Sequence, residues 1–286
     1  MATRPAGRFP RVPEWRVRRR SGVVLAGFCL LPHSAAFAQI DYRNLEDDRP
    51  TRIEDAYPIE RHAFEVMLPW RYERESGGNV HSFSPELSYG LLPNFQAGVK
   101  LPLAGADDGT ERVWGAAGLR VFSLYNFNTE SRSLPALSLR ADAAFPVGGL
   151  AGEGTRFTLK GILTRSWGMT RLHANGAYTL GDDQLPAAAA EPAARWWYGL
   201  ALDRTLYRKS TLVVAELYAL KERDAAPVEV NVSLGVRRQL SPVHVIDLGV
   251  ARRLSDEGPD LEVTLGVSRA FAIAGLLPGG PRGATR

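Results

Sequence analysis

From Ala63 almost to its end, this chain alternates apolar and polar residues with a period of two. The alternation comes in twelve runs of about 9–14 residues, the length of a tilted strand crossing a bilayer. Leu137, Leu139, Ala141, Ala143 and Phe145 stand opposite Ser138, Arg140 and Asp142. Val228, Val230, Val232, Leu234 and Val236 stand opposite Glu229, Asn231, Ser233 and Arg237. Successive side chains of a strand point to opposite faces, so each run presents one face to lipid and one to a polar interior. The run over 210–222 is the ambiguous one, with apolar residues on both faces. The pattern predicts an all-β, up-and-down antiparallel transmembrane barrel of about twelve strands, the even number that bacterial barrels use. Mean hydropathy is −0.16, which does not argue against a membrane barrel, because only every second residue faces lipid.

The connections support the same reading. ERESGGN, AGADDGTE, PVGGLAGEG and GDDQLPAAAAEPAA alternate with the shorter LPN, GM, YRKS and LSPVH. Long outside loops alternating with short inside turns are the habit of outer-membrane barrels. NFNTESRSL is the exception, long for an inside turn. Arg165, Arg204, Arg238, Arg252 and Arg269 lie on apolar faces near predicted strand ends, where they reach toward headgroups. Trp70, Tyr72, Tyr89, Trp167, Trp196, Tyr198 and Phe271 cluster near the same ends, like interfacial girdles. The soluble alternative is a secreted β-sandwich, whose strands are shorter.

The first 38 residues read as an address. Arg16, Arg18, Arg19 and Arg20 precede the apolar run GVVLAGFCLL, then PHSAAFAQ with small residues at Ala36 and Ala38. That is a signal peptide cleaved after Ala38; the apolar run falls short of the about 20 residues a spanning helix needs. Cys29, the single cysteine, leaves with it. Residues 1–38 also hold seven Arg against one Glu, so the formal charge of +4 belongs to the leader. The rest has 28 basic and 30 acidic residues, which removes the electrostatic case for nucleic-acid binding. The expected organisation is 1–38 signal peptide, 39–61 an N-terminal periplasmic or plug segment, 62–271 barrel and 272–286 a C-terminal tail. The acids of the 39–61 segment, Asp41, Glu46, Asp47, Asp48, Glu54 and Asp55, would meet a basic lumen wall if it folds inward; a solvated tail is the alternative.

The stretch DDRPTRIEDAYPIERHAFEVMLPWRYER, Asp47 to Arg74, leads into the first strand. In Arg49, Pro50, Glu54, Asp55, Ala56, Pro58, Phe64 and Glu65 it resembles the outer-membrane transporter family named for the MetA-pathway of phenol degradation. His62 stands where such members often have Gly. The resemblance implies a barrel with a transport role and no defined substrate; the pathway name hints at aromatic or hydrophobic compounds. The last run, TLGVSRAF, resembles the C-terminal signal read by the barrel assembly machinery, carried by Gly266 and Phe271, with Arg269 in place of a second aromatic and fifteen residues following.

Two arcs of charge are expected on the lumen face. Lys100, Arg120, Arg140, Arg156, Lys160 and Arg171 form a basic arc; Glu65, Glu86, Glu216, Glu229, Asp247 and Glu262 form an acidic one. Opposed walls of this kind set up a transverse field in a pore; alternatively they pair inside a closed, filled barrel. Arg237, Arg253 and Asp142 break the segregation. Outer-membrane barrel enzymes that act on lipid set His and Ser two apart on one strand, and none of His62, His81, His173 or His244 has Ser at that spacing. His173 and Asn175 share a lumen face without a nucleophile beside them. There is no P-loop, dinucleotide fingerprint or zincin motif. The sequence therefore predicts a monomeric outer-membrane channel for small solutes, with no metal, cofactor or nucleic-acid partner, embedded in lipid and lipopolysaccharide. The alternatives are a lipid- or lipopolysaccharide-modifying barrel enzyme and a closed structural barrel.

Overall fold

The computed structural model describes residues 38–75, 78–107, 112–181, 195–221, 227–273 and 276. The cleavage residue Ala36, most of the leader and nearly all of the tail after Phe271 lie outside them. Twelve antiparallel strands close on themselves. They are β1 (Phe64–Glu75), β2 (Gly78–Phe83 resuming as Glu86–Leu92), β3 (Phe95–Lys100 and Leu103–Asp107) and β4 (Arg112–Ala116 and Leu119–Asn128). The others are β5 (Ala136–Phe145), β6 (Arg156–Trp167), β7 (Thr170–Leu180), β8 (Trp196–Leu206), β9 (Thr211–Lys221), β10 (Glu229–Ser241), β11 (His244–Arg253) and β12 (Leu261–Phe271). Each strand pairs with its sequence neighbours, and β12 returns to β1 in the register Phe64↔Phe271 through Arg74↔Leu261. A 3-10 turn at Tyr207–Lys209 is the one helical element among the described residues. Closure leaves no sheet edge unpaired, which is what lets a sheet live in lipid.

Three strands are broken once, at neighbouring positions. Pro85 and Pro102 have no N–H to give to the ladder, and Gly118 has φ +126°. The rungs on either side survive: Ser84 N–H donates to the Pro69 carbonyl, Leu101 N–H to Pro85 and Ala117 N–H to Pro102. Register between β1 and β2 is the same before and after the break. At the long-loop end, the 146–155 connection folds back over β4, and Leu150 packs on Ala104, Val113 and Ala117.

Burial is inverted relative to a soluble protein. Outward Leu200 and Leu234 are each 57% exposed, whereas inward Arg140 and Arg237 are 1% and 0% exposed. The long inside turn has its own explanation. Arg165 donates to the carbonyls of Ser131, Arg132 and Leu134, and Ser166 N–H donates to Glu130. The turn is thus folded against β6, and Arg165 serves it rather than a headgroup, a departure from its expected placement.

Candidate functional site

Residues 38–63 run inside the barrel. The segment is tied at the short-turn end, where Ile40 N–H donates to the Pro242 carbonyl and the Gln239 amide to Ile40. It reverses at Glu46–Arg49, a turn closed by Arg49 N–H on the Glu46 carbonyl, with Asp48 at φ +69°. It returns with Asp55 N–H on the Leu45 carbonyl and leaves beside β2 through His62 N–H on Gly90. Both arms of this loop therefore lie at the short-turn end, and the tip reaches into the middle of the lumen.

The tip carries charges of both signs, and each meets its opposite on the wall. Toward the basic arc, Asp48 meets Lys100 at 3.1 Å and Arg71 at 3.0 Å. Asp47 meets Lys160 and, at 3.6 Å, Arg140. Glu54 bridges Arg140 at 2.9 Å and Lys160 at 3.1 Å, and Asp55 takes Arg171 at 2.9 Å. Toward the acidic arc, Arg49 meets Asp247 at 3.0 Å. Arg52 reaches Glu262 at 2.8 Å and Glu73 at 3.4 Å, while its N–H donates to Glu216. Glu46 pairs with Arg49 and with Arg237, the base that interrupts the acidic arc. Asp142 pairs with Arg140 on its own strand, and Arg253 with Asp260 at the rim. Glu86 accepts from Ser88, and Glu65 lies 4.0 Å from Arg237. Arg120 stands beside Lys100 on the next strand, Arg156 is buried toward the long-loop end of β6, and Glu229 opens β10 at the rim.

Neutral groups complete the seat. Asn175 holds the Glu54 backbone on both sides, accepting its N–H at 2.8 Å and donating to its carbonyl at 2.9 Å. Ser138 and Asn126 donate to the Ala56 carbonyl, and Thr264 donates to that of Pro50. Ile40, Leu45 and Ile53 pack on Trp197, Ala201, Leu212, Val214, Tyr218 and Leu220 of β8 and β9. Ile53 is fully buried there, worth about 1.5–3 kcal/mol of apolar contact. Apart from Glu216, the lumen side chains of β9 are apolar and packed on the segment, which explains why its sequence is apolar on both faces.

Lumen glycines mark where the segment's backbone touches the wall. A Cβ at Gly249 would fall 1.8 Å from the Pro50 carbonyl oxygen, one at Gly235 2.7 Å from the Pro50 ring, and one at Gly90 2.1 Å from the Glu60 oxygen. Gly266, singled out as part of the assembly signal, faces Arg49 and Asp247 at 3.0 Å. Phe271 stacks on Phe64 across the closing seam, with centroids 5.3 Å apart. Between the two arms of the segment and the wall, at the short-turn end, lies a cavity of about 450 Å³ lined in part by Gln39, Arg43, Tyr57, Glu60 and Arg171.

No single strand carries a catalytic trio in its sequence, yet pairing across strands assembles one. Thr164 Oγ1 lies 3.0 Å from His173 Nδ1, and His173 Nε2 lies 2.9 Å from Asp203 Oδ2. A hydroxyl, an imidazole and a carboxylate in that order are the parts of a nucleophilic triad. Here Thr164 also accepts the Ala56 N–H at 3.0 Å, Arg171 occupies Asp203 at 2.6 Å, and Thr164 and His173 have 0% exposure. While the segment is seated the hydroxyl is covered and there is no room for a substrate carbonyl; in this state the trio acts as a clasp on Ala56.

The tip carboxyls respond to these neighbours. Burial works to raise Asp47 and Asp48, but Lys160 and Arg140 around the first, and Lys100 and Arg71 around the second, outweigh it and hold both below the usual range. A carboxylate with a depressed pKa contributes stability above its unfolded value, lost as pH falls through its folded one. Asp55 is shifted the other way, since burial outweighs Arg171 and raises it; the Asp47 and Asp48 anchors are therefore expected to hold the tip from neutral pH through the ordinary Asp range and to loosen only below it. Tryptic cutting after Arg52, followed against pH with an acid-stable protease as a parallel probe, checks this; release already at pH 5–6 would contradict it.

No family model matches the chain, and no curated protein matches it. Among solved structures, the fold is similar to an outer membrane channel from Pseudomonas putida F1, at 12% identity and a TM-score of 0.56, covering 79% of this chain and 100% of that one. It is similar also to a KdgM porin in complex with disordered oligogalacturonate, at 12% identity and a TM-score of 0.50, covering 72% of this chain and 99% of that one. These likenesses establish the outer-membrane type of barrel.

Proposed function

We propose that this chain is an outer-membrane channel for small solutes whose lumen is closed, in the state described, by its own N-terminal segment. The observation that carries the reading is the paired charge. The wall supplies both a basic and an acidic arc, and the 46–55 stretch meets each with the opposite sign. A solid structural barrel fills its interior from its own wall, with side chains fixed to the strands. Here the filling is a polar loop entering and leaving at one end, seated on wall glycines, and held by contacts that water and ions can replace. Such a loop makes a closed state that is reversible.

In this reading the short-turn end faces the periplasm and the long loops face outside. The resemblance of Asp47–Arg74 to the phenol-pathway transporters favours small organic cargo over polymers. The barrel acts as a monomer in lipid and lipopolysaccharide, exported by its leader and inserted by the assembly machinery. The test is single-channel recording in planar bilayers of the exported chain beside a variant lacking residues 41–59. Small or rare steps from the first and large, stable steps from the second are expected. A folded deletion variant that passes no current would overturn the channel reading.

A further inference from the structure

We infer that the wall beneath Ile53–Asp55 is a subsite for an amphipathic organic carboxylate, which opens the channel by taking the segment's place. The inference rests on the channel reading and adds a cargo class to it. Its basis is what the wall does to three consecutive residues. The Ile53 side chain lies beside Gly199 of β8 and belongs to the buried apolar cluster that holds Trp197, Ala201, Leu212 and Val214. The Glu54 carboxylate next to it is gripped by Arg140 Nη1 at 2.9 Å and Lys160 Nζ at 3.1 Å. Lys160 Nζ also lies 5.7 Å from the Trp197 ring centroid, so cation and apolar shelf adjoin. Asn175 presents both a donor and an acceptor beside them.

When the segment withdraws, these groups do not lose equally. Arg140 keeps Asp142 on its own strand, at 3.1 Å. Both carboxylates that pair with Lys160, those of Asp47 and Glu54, belong to the segment and leave with it. What remains is an unneutralised ammonium, an adjoining guanidinium and an exposed apolar shelf on β8 and β9. The ammonium, freed of both carboxylates, attracts anions into the open lumen, and a bare apolar shelf in water is unfavourable. A ligand with a carboxylate at one end and an apolar body of a few carbons satisfies both at once. A ligand can shift a closed–open equilibrium only through its differential affinity for the two states. In the closed state this subsite is filled, because Ile53 and Glu54 are 0% and 3% exposed. All of the ligand's binding energy there therefore goes to the open state.

Hexanoate, acetate and hexylammonium, compared at equal ionic strength on the full chain, separate the two halves of the subsite. Two readouts are followed: opening frequency in planar bilayers and the rate of tryptic cutting after Arg52. Hexanoate is expected to raise both roughly tenfold at millimolar concentration, with acetate and hexylammonium within about twofold of buffer. Lys160→Gln is expected to raise basal opening and abolish the preference for hexanoate over hexylammonium, and Lys160→Arg to keep it. Equal responses to acetate and hexanoate would reduce the effect to ion-pair screening and overturn the inference, as would equal responses to hexanoate and hexylammonium. Faster cutting without current would uphold the subsite while the channel reading fails. A conducting 41–59 deletion variant beside a full chain indifferent to hexanoate in both readouts would leave the channel reading intact and remove the subsite.

Discussion

Gly249→Val opens the barrel without unfolding it. The new Cβ falls 1.8 Å from the Pro50 carbonyl oxygen, a contact that no rotamer can relieve because the atom belongs to the segment's backbone. β11 itself gains from the change, since Val suits a strand better than Gly. The overlap therefore acts chiefly on the seating of residues 46–55; within the sheet it meets only the Thr264 hydroxyl, 2.4 Å away, which can rotate aside. Overpacking of this kind costs about 1–3 kcal/mol, so opening should rise by about one to two orders of magnitude. The barrel should still resist detergent unfolding on a gel. Gly161→Ala is the control, because a Cβ there meets nothing nearer than 4.0 Å. A folded Gly249→Val protein that stays shut would show either that Pro50 moves aside without cost or that the segment does not close the lumen.

The second large effect is expected at Arg237. Its guanidinium is wholly buried, at 3.0 Å from Glu46, 3.5 Å from Asp247 and 4.0 Å from Glu65. Arg237→Ala leaves Glu46 and Asp247 with Arg49 alone and removes the guanidinium 4.0 Å from Glu65, and breaking a buried pair costs about 3–5 kcal/mol. Because Glu46 is on the segment and the other two acids are on the wall, the loss is shared between seating and barrel stability. Opening frequency should rise by about ten- to a hundredfold, and the melting temperature should fall. Adding Glu46→Leu to Arg237→Ala should recover part of the closure, since one of the stranded charges is gone and an apolar contact to the wall replaces it. A double variant as open as the sum of the two single ones would mean that Glu46 and Arg237 are not coupled through the lumen.

The barrel was legible from the sequence because its physics is local. Lipid outside and a polar interior impose a period of two, and a pair of antiparallel strands needs only a short turn to close. Runs such as 135–145 and 227–240 therefore declared both their faces and their order. The arcs were legible for the same reason: Lys100, Arg140, Lys160 and Arg171 had to point inward once Leu139 and Leu159 pointed out. What those charges meet was not local. Asp47 and Glu54 are more than a hundred residues from Lys160, and a polar stretch such as DDRPTRIED reads equally well as a solvated tail. Two traces of its seat were present in the sequence, the doubly apolar run over 210–222 and the inward glycines at 235, 249 and 266, but neither names its partner. Likewise Thr164, His173 and Asp203 come from three different strands, so no spacing along one strand could announce them. The sequence by itself determined the strands, their alternation and the sign of each wall, since these follow from solvent and chain neighbours. Only the tertiary structure decided what fills the lumen, because that depends on which distant side chains close the ring around it.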